Sequence, residues 1–590
     1  MDFGGVAVLQ VDGRWVRLIG ARAPLVAHQP SEVLPLISAV EAATEAGLHA
    51  AGFVAYEAAA AFGLATHPPT EGLPLAAFVL GERLEPFDPA ALVQAARAAP
   101  ALDWQPAIAE PDYVRAVHQV RSHLAAGDSY QVNLTFQLTS PFTADPFALF
   151  ARLARAQRAA GAAYLDFGRF AVCSASPELF FEREGDVVSM RPMKGTAPRG
   201  RTPAEDSTRA VSIRRSPKER AENLMIVDMV RNDLGRIAEV GSVEVPRLFR
   251  VERFPTVLQM TSDVVARVPG SLAAIFAALF PCASVTGAPK VRTASIIRQL
   301  ESGPRGVYTG AVGYAGPGRK ARFNVAIRTA TVDRERQVAS YGVGSGIVWD
   351  SRPGREHAEC LAKARVLETD VTPFSLLETL RWEPGSGFLR LDRHLSRVGA
   401  SARYFGVPFS RARARTALDA AIGGDSPLRV RLLVDEDGEL RVETGPVPPP
   451  PSVPVRAGLA TAPIDVSDPF VFHKTTRRAR YEAASAARPD CDEVILWNSA
   501  GFVTETVIAN LALCRDGRWV TPPVSDGLLA GTLRAELLAS GRVAEAQIPI
   551  EELHPGSRLA AFNSLRGWRE LEFVPAPAPA PTPTSRPTHQ

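Results

Sequence analysis

Of the 66 basic residues in this 590-residue chain, six are lysine: Lys194, Lys218, Lys290, Lys320, Lys363 and Lys474. A sequence that uses arginine wherever a surface cation serves should keep lysine where a neutralisable amine or a compact ammonium is needed, because guanidinium does not deprotonate in proteins. Lys218 and Lys320 read as survivors without a role, and Lys290 reads as structural. The acids carry a second pattern. Glu219 and Glu222, and again Glu356 and Glu359, are three residues apart, which sets each pair on one face of a helix. Paired acids entering an apolar helix call for a cation.

The elements that position these groups are legible locally. Ser216 can cap a helix, Pro217 suits its first position, and Glu219 completes a capping box. Leu224, Ile226, Val227 and Val230 make the rest apolar, so burial on most sides is expected. Residues 111–126 read as an amphipathic helix, followed by a turn at Gly127-Asp128 and a strand through Gln131-Val132-Asn133-Leu134-Thr135. Strand-like runs at 162–182, 308–315, 322–332 and 338–349 interleave with helices. That mixture fits an α/β (α+β) class with large, mostly antiparallel sheets.

The chain is too long for one core, so at least two domains are expected. The pattern restarts after Leu367-Glu368-Thr369-Asp370, which places a first domain at 1–370, with 1–100 as its N-terminal scaffold, and a second at 371–574, interrupted by the prolines at 447–451. The Pro/Ala-rich tail at 575–590 cannot bury a core and is expected to be disordered. A net charge of +3 points to neither nucleic acid nor membrane. No apolar run approaches the roughly 18 residues that span a bilayer, so cytoplasm is the default. Five widely spaced cysteines without a Cys-x-x-Cys pair suggest neither a disulfide framework nor a zinc site.

Several segments, in order, carry a resemblance: Ser176-Pro177-Glu178, Pro192-Met193-Lys194-Gly195-Thr196, Ala221 to Arg236, Thr286-Gly287-Ala288-Pro289-Lys290, Asn324 to Arg328, Gly344-Ser345-Gly346, and Glu356 to Glu359 followed by Lys363. Over residues 100 to 368 this resembles the chorismate-utilising enzymes, in their aminodeoxychorismate synthase component I branch. The resemblance implies that Glu222 and Glu359 bind Mg2+, with Glu219 and Glu356 orienting them, as befits a cation that takes a few carboxylates and keeps waters. It implies substrate contacts from Arg328, Tyr308, Thr286, Gly344, Gly346 and Lys363. Lys194 stands where anthranilate synthases carry alanine. In the aminodeoxychorismate branch this lysine attacks ring C2, and Glu178 is placed to protonate the departing hydroxyl. Gln259 occupies a place where the family often has histidine, which removes any acid–base role there.

Residues 373 to 574 resemble fold-type IV pyridoxal-phosphate enzymes, specifically the aminodeoxychorismate lyases. The segments are Phe374 with Glu378-Thr379, His394-Leu395-Ser396-Arg397, His473-Lys474-Thr475, Gly501 to Thr506 with Asn510, and Leu529 to Arg534. The resemblance implies pyridoxal 5'-phosphate attached at Lys474, its ring nitrogen facing Glu505, and its phosphate held by Arg397 and the amides of Thr532 and Leu533. A departure at the domain's start, Val371-Thr372-Pro373-Phe374, leaves the site entrance and any homodimer contact open.

Together these imply two consecutive reactions: amination of chorismate to 4-amino-4-deoxychorismate, then loss of pyruvate to give 4-aminobenzoate. None of the cysteines sits in a glutaminase-like context, so a separate glutamine amidotransferase subunit is implied as the ammonia source. The alternatives are an anthranilate synthase component I joined to a branched-chain or D-amino-acid aminotransferase-like domain, and a non-enzymatic second domain that recruits the amidotransferase.

Overall fold

Alternation along the strands decides the layers. In the strand Val6–Val11, Val8 enters one apolar cluster while Ala7 and Leu9 enter another; in His49–Val54, Ala51 and Phe53 face one way and Ala50 and Val54 the other. Successive side chains on a strand point to opposite faces, so both strands are covered on two sides. The computed structural model describes residues 6–158, 160–449 and 455–575. All but the first residue of the 575–590 tail lies outside the described residues.

The chain divides into two units, one of Met1–Arg199 with Thr208–Thr372 and one of Pro373–Gln590 with Gly200–Ser207. In the first unit two ten-stranded antiparallel sheets lie face to face. The middle layer combines small residues such as Ala7, Ala51, Ala77 and Val172 with larger ones such as Phe53, Leu165 and Phe170. Helices Pro30–Glu45, Pro217–Gly235 and Leu272–Leu279 cover the outer face of one sheet, and Glu110–Ala125, Pro146–Gln157 and Lys290–Leu300 that of the other. Within residues 6–100, Val6–Val11 and Arg14–Ile19 belong to one sheet and His49–Val54 and Ala76–Gly81 to the other.

Two of the connections between the sheets lie side by side. The chain leaves the strand Phe170–Ser176 of one sheet and enters Leu179–Glu184 of the other through Pro177-Glu178. It returns from Lys320–Val325 to Thr329–Asp333 through residues 326–328. The crossovers are tied together: Ala175 N–H donates to the Arg328 carbonyl at 3.0 Å, and Val325 N–H donates to the Glu178 carbonyl at 3.0 Å. Arg328 takes a φ of +52°, which a non-glycine residue seldom adopts.

The second unit has a four-stranded antiparallel sheet around Leu376–Glu383 and Leu428–Val434, packed on helices Leu391–Phe405 and Arg411–Ala420. An eight-stranded mixed sheet follows, in which Val455–Leu459 runs parallel to both neighbours and Glu493–Trp497 pairs with Val503–Thr506. The class is the expected one: mixed α and β with large, mostly antiparallel sheets.

Candidate active sites

The Pro217–Gly235 helix begins as its sequence dictates, with Pro217 first and the Ser216 hydroxyl accepting the Glu219 N–H. Its burial is narrower than expected. Ile226, Val227, Val230 and Leu234 face the core, but Leu224 is 44% exposed. A helix on the outer face of a sheet needs one apolar stripe, and Leu224 lies off it. Asn223, fully buried, donates to the Lys194 carbonyl at 3.1 Å and accepts from Ser262 Oγ at 2.6 Å. One side chain therefore fixes the helix against the strand Met193–Pro198 and sets the register between Glu222 and Lys194.

Lys194 projects into a cavity of about 630 Å³ lined by Glu178, Glu219, Glu222, Tyr308, Arg328, Glu356, Glu359 and Lys363. Its Nζ stands 3.6 Å from Glu222 Oε2, and Lys218 reaches the other oxygen of the same carboxylate at 3.8 Å. Next to it Gly195 has φ +100°, and a Cβ there would lie 3.1 Å from Glu219 Oε2, so the position admits only glycine. Across the cavity, Gly342, Gly344 and Gly346 share one face of the strand Val338–Ile347. Added methyl groups would meet the Tyr308 ring at 2.1 Å, Thr135 at 2.6 Å and Lys194 Nζ at 2.9 Å. The alternate glycines are thus the floor on which a tyrosine ring and an amine rest.

Glu178, at the first crossover, accepts a hydrogen bond from Ser284 Oγ at 2.7 Å. Burial pushes its carboxyl up to about 7, against the Ser284 hydrogen bond and the charges of Lys194 and Lys363. Burial and the neighbouring Glu222 also raise Glu219. Glu359 behaves oppositely: burial alone would raise it, but the charge and hydrogen bond of Lys363, at 2.8 Å, hold it below its ordinary value. Lys363 also donates to the Gly344 carbonyl at 2.9 Å. Arg328 donates to the Lys363 carbonyl, and Ser345 donates to Glu356.

A second cavity, of about 370 Å³, lies in the second unit. Lys474 is half-buried there, and loss of solvent around its amine, then the charge of Arg397, pull that amine down to about 8. Glu505 accepts the Leu529 N–H at 3.2 Å and the Tyr481 hydroxyl at 3.3 Å, and burial pushes it up to about 8. Arg397 grips Glu378 with two hydrogen bonds, at 2.8 and 2.6 Å, and donates to the Ala530 carbonyl at 3.1 Å. Glu378 is 1% exposed and also faces His394 Nδ1 at 2.7 Å; burial would raise it, but Arg397 and His394 bring it down to about 2. His394 Nε2 in turn meets Ser564 Oγ at 2.9 Å and Thr532 Oγ1 at 3.2 Å. One buried carboxylate so orients both Arg397 and the start of the helix Thr532–Ala539, where Ala535 is the first residue whose N–H bonds back, to Gly531.

A family model for chorismate binding enzymes matches residues 16–369. The chain belongs to that family. Residues 375–572 match the amino-transferase class IV family. The aminodeoxychorismate synthase component 1 of Klebsiella aerogenes is 45% identical over 214 residues, 36% of this chain and 47% of that protein. An anthranilate synthase component 1 of Streptomyces coelicolor is 42% identical over 229 residues, 38% of this chain and 44% of its own length. The chain thus spans about half the length of the curated relatives it matches. Among solved structures, an anthranilate synthase component I from Streptococcus pneumoniae is 25% identical with a TM-score of 0.51, over 62% of this chain and 90% of that one.

Most of the residues singled out from sequence line the two cavities, but Thr286 does not. It is fully buried, and its hydroxyl donates to the Cys282 carbonyl at 3.1 Å, beneath the cavity wall that Ser284 and Val285 form. The Leu533 side chain packs into an apolar cluster with Leu537 and Phe562, which leaves only its amide at the helix start. Lys290 pairs with Asp233 at 3.0 Å and the Leu279 carbonyl at 3.0 Å, a structural role. Gln259 accepts from Thr196 Oγ1 at 2.9 Å at the cavity edge. Sequence reasoning missed Ser284, Asn223, Tyr481 and the Glu378–His394 relay. Asn223 was findable as a polar residue on the apolar stripe of its helix; Glu378 and His394 stood in recognised segments without a sign that they meet, and Ser284 and Tyr481 carry no local signal.

The donor sets fit the implied groups. Carboxylates from two helices facing one cavity suit an oxygen-preferring cation that keeps waters, although among the described residues no group of three or more His, Cys, Asp or Glu gathers closely enough to hold one alone. A class IV domain implies pyridoxal phosphate, and a half-buried amine, a facing acid, an oriented arginine and free helix-start amides match it. No helix among the described residues is long and apolar enough to cross a membrane.

Proposed function

We propose that this chain makes 4-aminobenzoate from chorismate in two steps, amination followed by loss of pyruvate. The observation that carries the first step is the shared cavity of Lys194 and a Glu178 carboxyl that burial keeps protonated near neutrality. In it, Lys194 Nζ bonds to ring C2 as the C4–O bond breaks, Glu178 protonating the departing hydroxyl to water. Ammonia then bonds to C4 as the C2–Nζ bond breaks, which returns the lysine. Arg328 and the amides at Gly344 and Gly346 hold carboxylate, while Glu222 and Glu359, oriented by Glu219 and Glu356, would hold Mg2+ against a second carboxylate. A glutamine amidotransferase partner supplies the ammonia, as the component 1 names of the relatives suggest.

For the second step the bound pyridoxal phosphate would supply an electron sink. Lys474 Nζ takes the C4 proton, and the C3–O bond breaks to release pyruvate and an aromatic ring. Glu505 would keep the ring nitrogen protonated, Arg397 and the amides of Thr532 and Leu533 would hold the phosphate, and a homodimer would form through this domain. The site at 1–370 and that at 371–574 act separately.

Purified chain given chorismate, ammonium and magnesium, with the aminobenzoate isomer identified, tests the reading. The para isomer is expected. The Streptomyces coelicolor relative favours a second reading, anthranilate synthesis joined to an aminotransferase; ortho product would establish that and end ours.

A further inference from the structure

The second cavity holds more cation than a single phosphate requires. Six arginines line it, Arg397, Arg429, Arg431, Arg477, Arg478 and Arg566, and among the described residues Glu505 is the one acid there. Four are committed. Arg397 binds Glu378, Arg431 binds Glu443 at 2.7 Å, Arg478 donates to the Val507 carbonyl at 2.7 Å, and Arg477 lies over the rings of Phe374 and Phe470 at 5.4 and 4.4 Å.

Arg429 and Arg566 are different. Arg429 stands on the strand Leu428–Val434, two residues from Arg431 and so on the same face. Its Nε is buried without a hydrogen-bond partner. Gly445 is its cross-strand neighbour, and a Cβ there would only just touch Arg429 Nη2, at 3.5 Å. Arg566 sits on the turn before the last strand, where Asn563 Oδ1 accepts its backbone N–H at 2.8 Å. Its side chain makes no hydrogen bond, ion pair or ring contact among the described residues, yet it lines the same cavity.

A buried donor left unpaired costs stability unless a ligand satisfies it, and a guanidinium fork matches a carboxylate. With the phosphate assigned to Arg397 and the helix-start amides, two free forks remain for the substrate. We infer that Arg429 and Arg566 form a carboxylate subsite, which makes this domain select an amine that carries two carboxylates over the monocarboxylate amino acid of a simple transaminase. The inference rests on the lyase reading only for the identity of the natural substrate.

The test uses the full chain loaded with cofactor, titrated with isophthalate or benzoate, with the change in cofactor absorbance as the readout. Isophthalate should bind at least about tenfold tighter than benzoate, since a site built to pair a charged group rejects the analogue lacking it. Arg566→Gln, Arg566→Ala and Arg429→Ala should each erase most of that preference while the spectrum of the loaded cofactor stays unchanged. They should also raise the KM for 4-amino-4-deoxychorismate about tenfold, with kcat within about threefold, the pattern of lost uniform binding. Equal affinity for the two probes in the parent chain, or an unchanged isophthalate Kd in all three variants, overturns the subsite. A parent that prefers isophthalate through Arg566 but turns over no aminodeoxychorismate keeps the subsite and loses the lyase reading; lyase turnover with an unaltered KM in the variants does the reverse.

Discussion

The two cavities use the same pair of tools, a lysine and a buried glutamate, in opposite electrostatic surroundings. In the first, Lys194 stands 3.6 Å from Glu222 among the carboxylates Glu219, Glu356 and Glu359. In the second, Lys474 is ringed by arginines and drops to about 8. A wall of acids wants a metal cation and a substrate that brings its own anions to it; a wall of arginines wants phosphate and carboxylates directly. The glutamates converge where the lysines diverge. Burial lifts Glu178 to about 7 and Glu505 to about 8, because neither is hydrogen-bonded to an arginine, whereas Glu378, equally buried but gripped by Arg397, falls to about 2. Partners, not depth, decide which buried acid keeps its proton.

That contrast can be broken, most severely at the lysines. Lys474→Ala should abolish pyruvate release and the visible absorbance of bound cofactor while leaving chorismate amination intact; a loss of both reactions would mean the cavities do not act separately. Lys194→Ala should do the converse. Glu178→Gln should slow amination about 10²–10⁴-fold, the usual worth of a general acid. In the parent, amination should fall as pH rises through about 7, where Glu178 loses its proton, and the glutamine variant should lack that limb. The linked stability has a fixed sign: the folded value lies above the ordinary 4.5, so the neutral carboxyl stabilises the fold fully below about 4.5 and that contribution is lost as pH rises through 7. A melting temperature flat across that window would contradict it. Glu219→Gln, a change beside a ligand, should weaken magnesium affinity about 10–100-fold, read as a higher half-saturating metal concentration. Lys218→Met should do least, under about threefold, because that lysine is largely exposed and surface ion pairs contribute little.

What was legible in the sequence was what neighbours along the chain decide. The helix at Pro217 announced itself through Ser216 and Pro217, and strand periodicity located Val338–Ile347 with its glycines. The amines and acids of both cavities were visible as residue types within motifs. Long-range contacts were not. Ser284 reaches Glu178 across 106 residues, and nothing near either position records it. Thr286 belongs to a recognisable motif, yet a two-residue offset from Ser284 turns it beneath the wall. Leu224 misled because hydrophobicity was counted around the whole helix rather than along the stripe that meets the sheet.

The two crossovers have a further consequence. Glu178 and Arg328 hang where the backbone steps from one sheet to its mate, so their separation is gauged by how thick the sandwich is. The layer that holds the sheets apart includes small spacers such as Ala51, Ala77 and Val172 among larger side chains such as Phe53 and Phe170. Enlarging one of these spacers would shift catalytic geometry before it threatened folding, which makes the dullest residues of the interior the calibration of the enzyme.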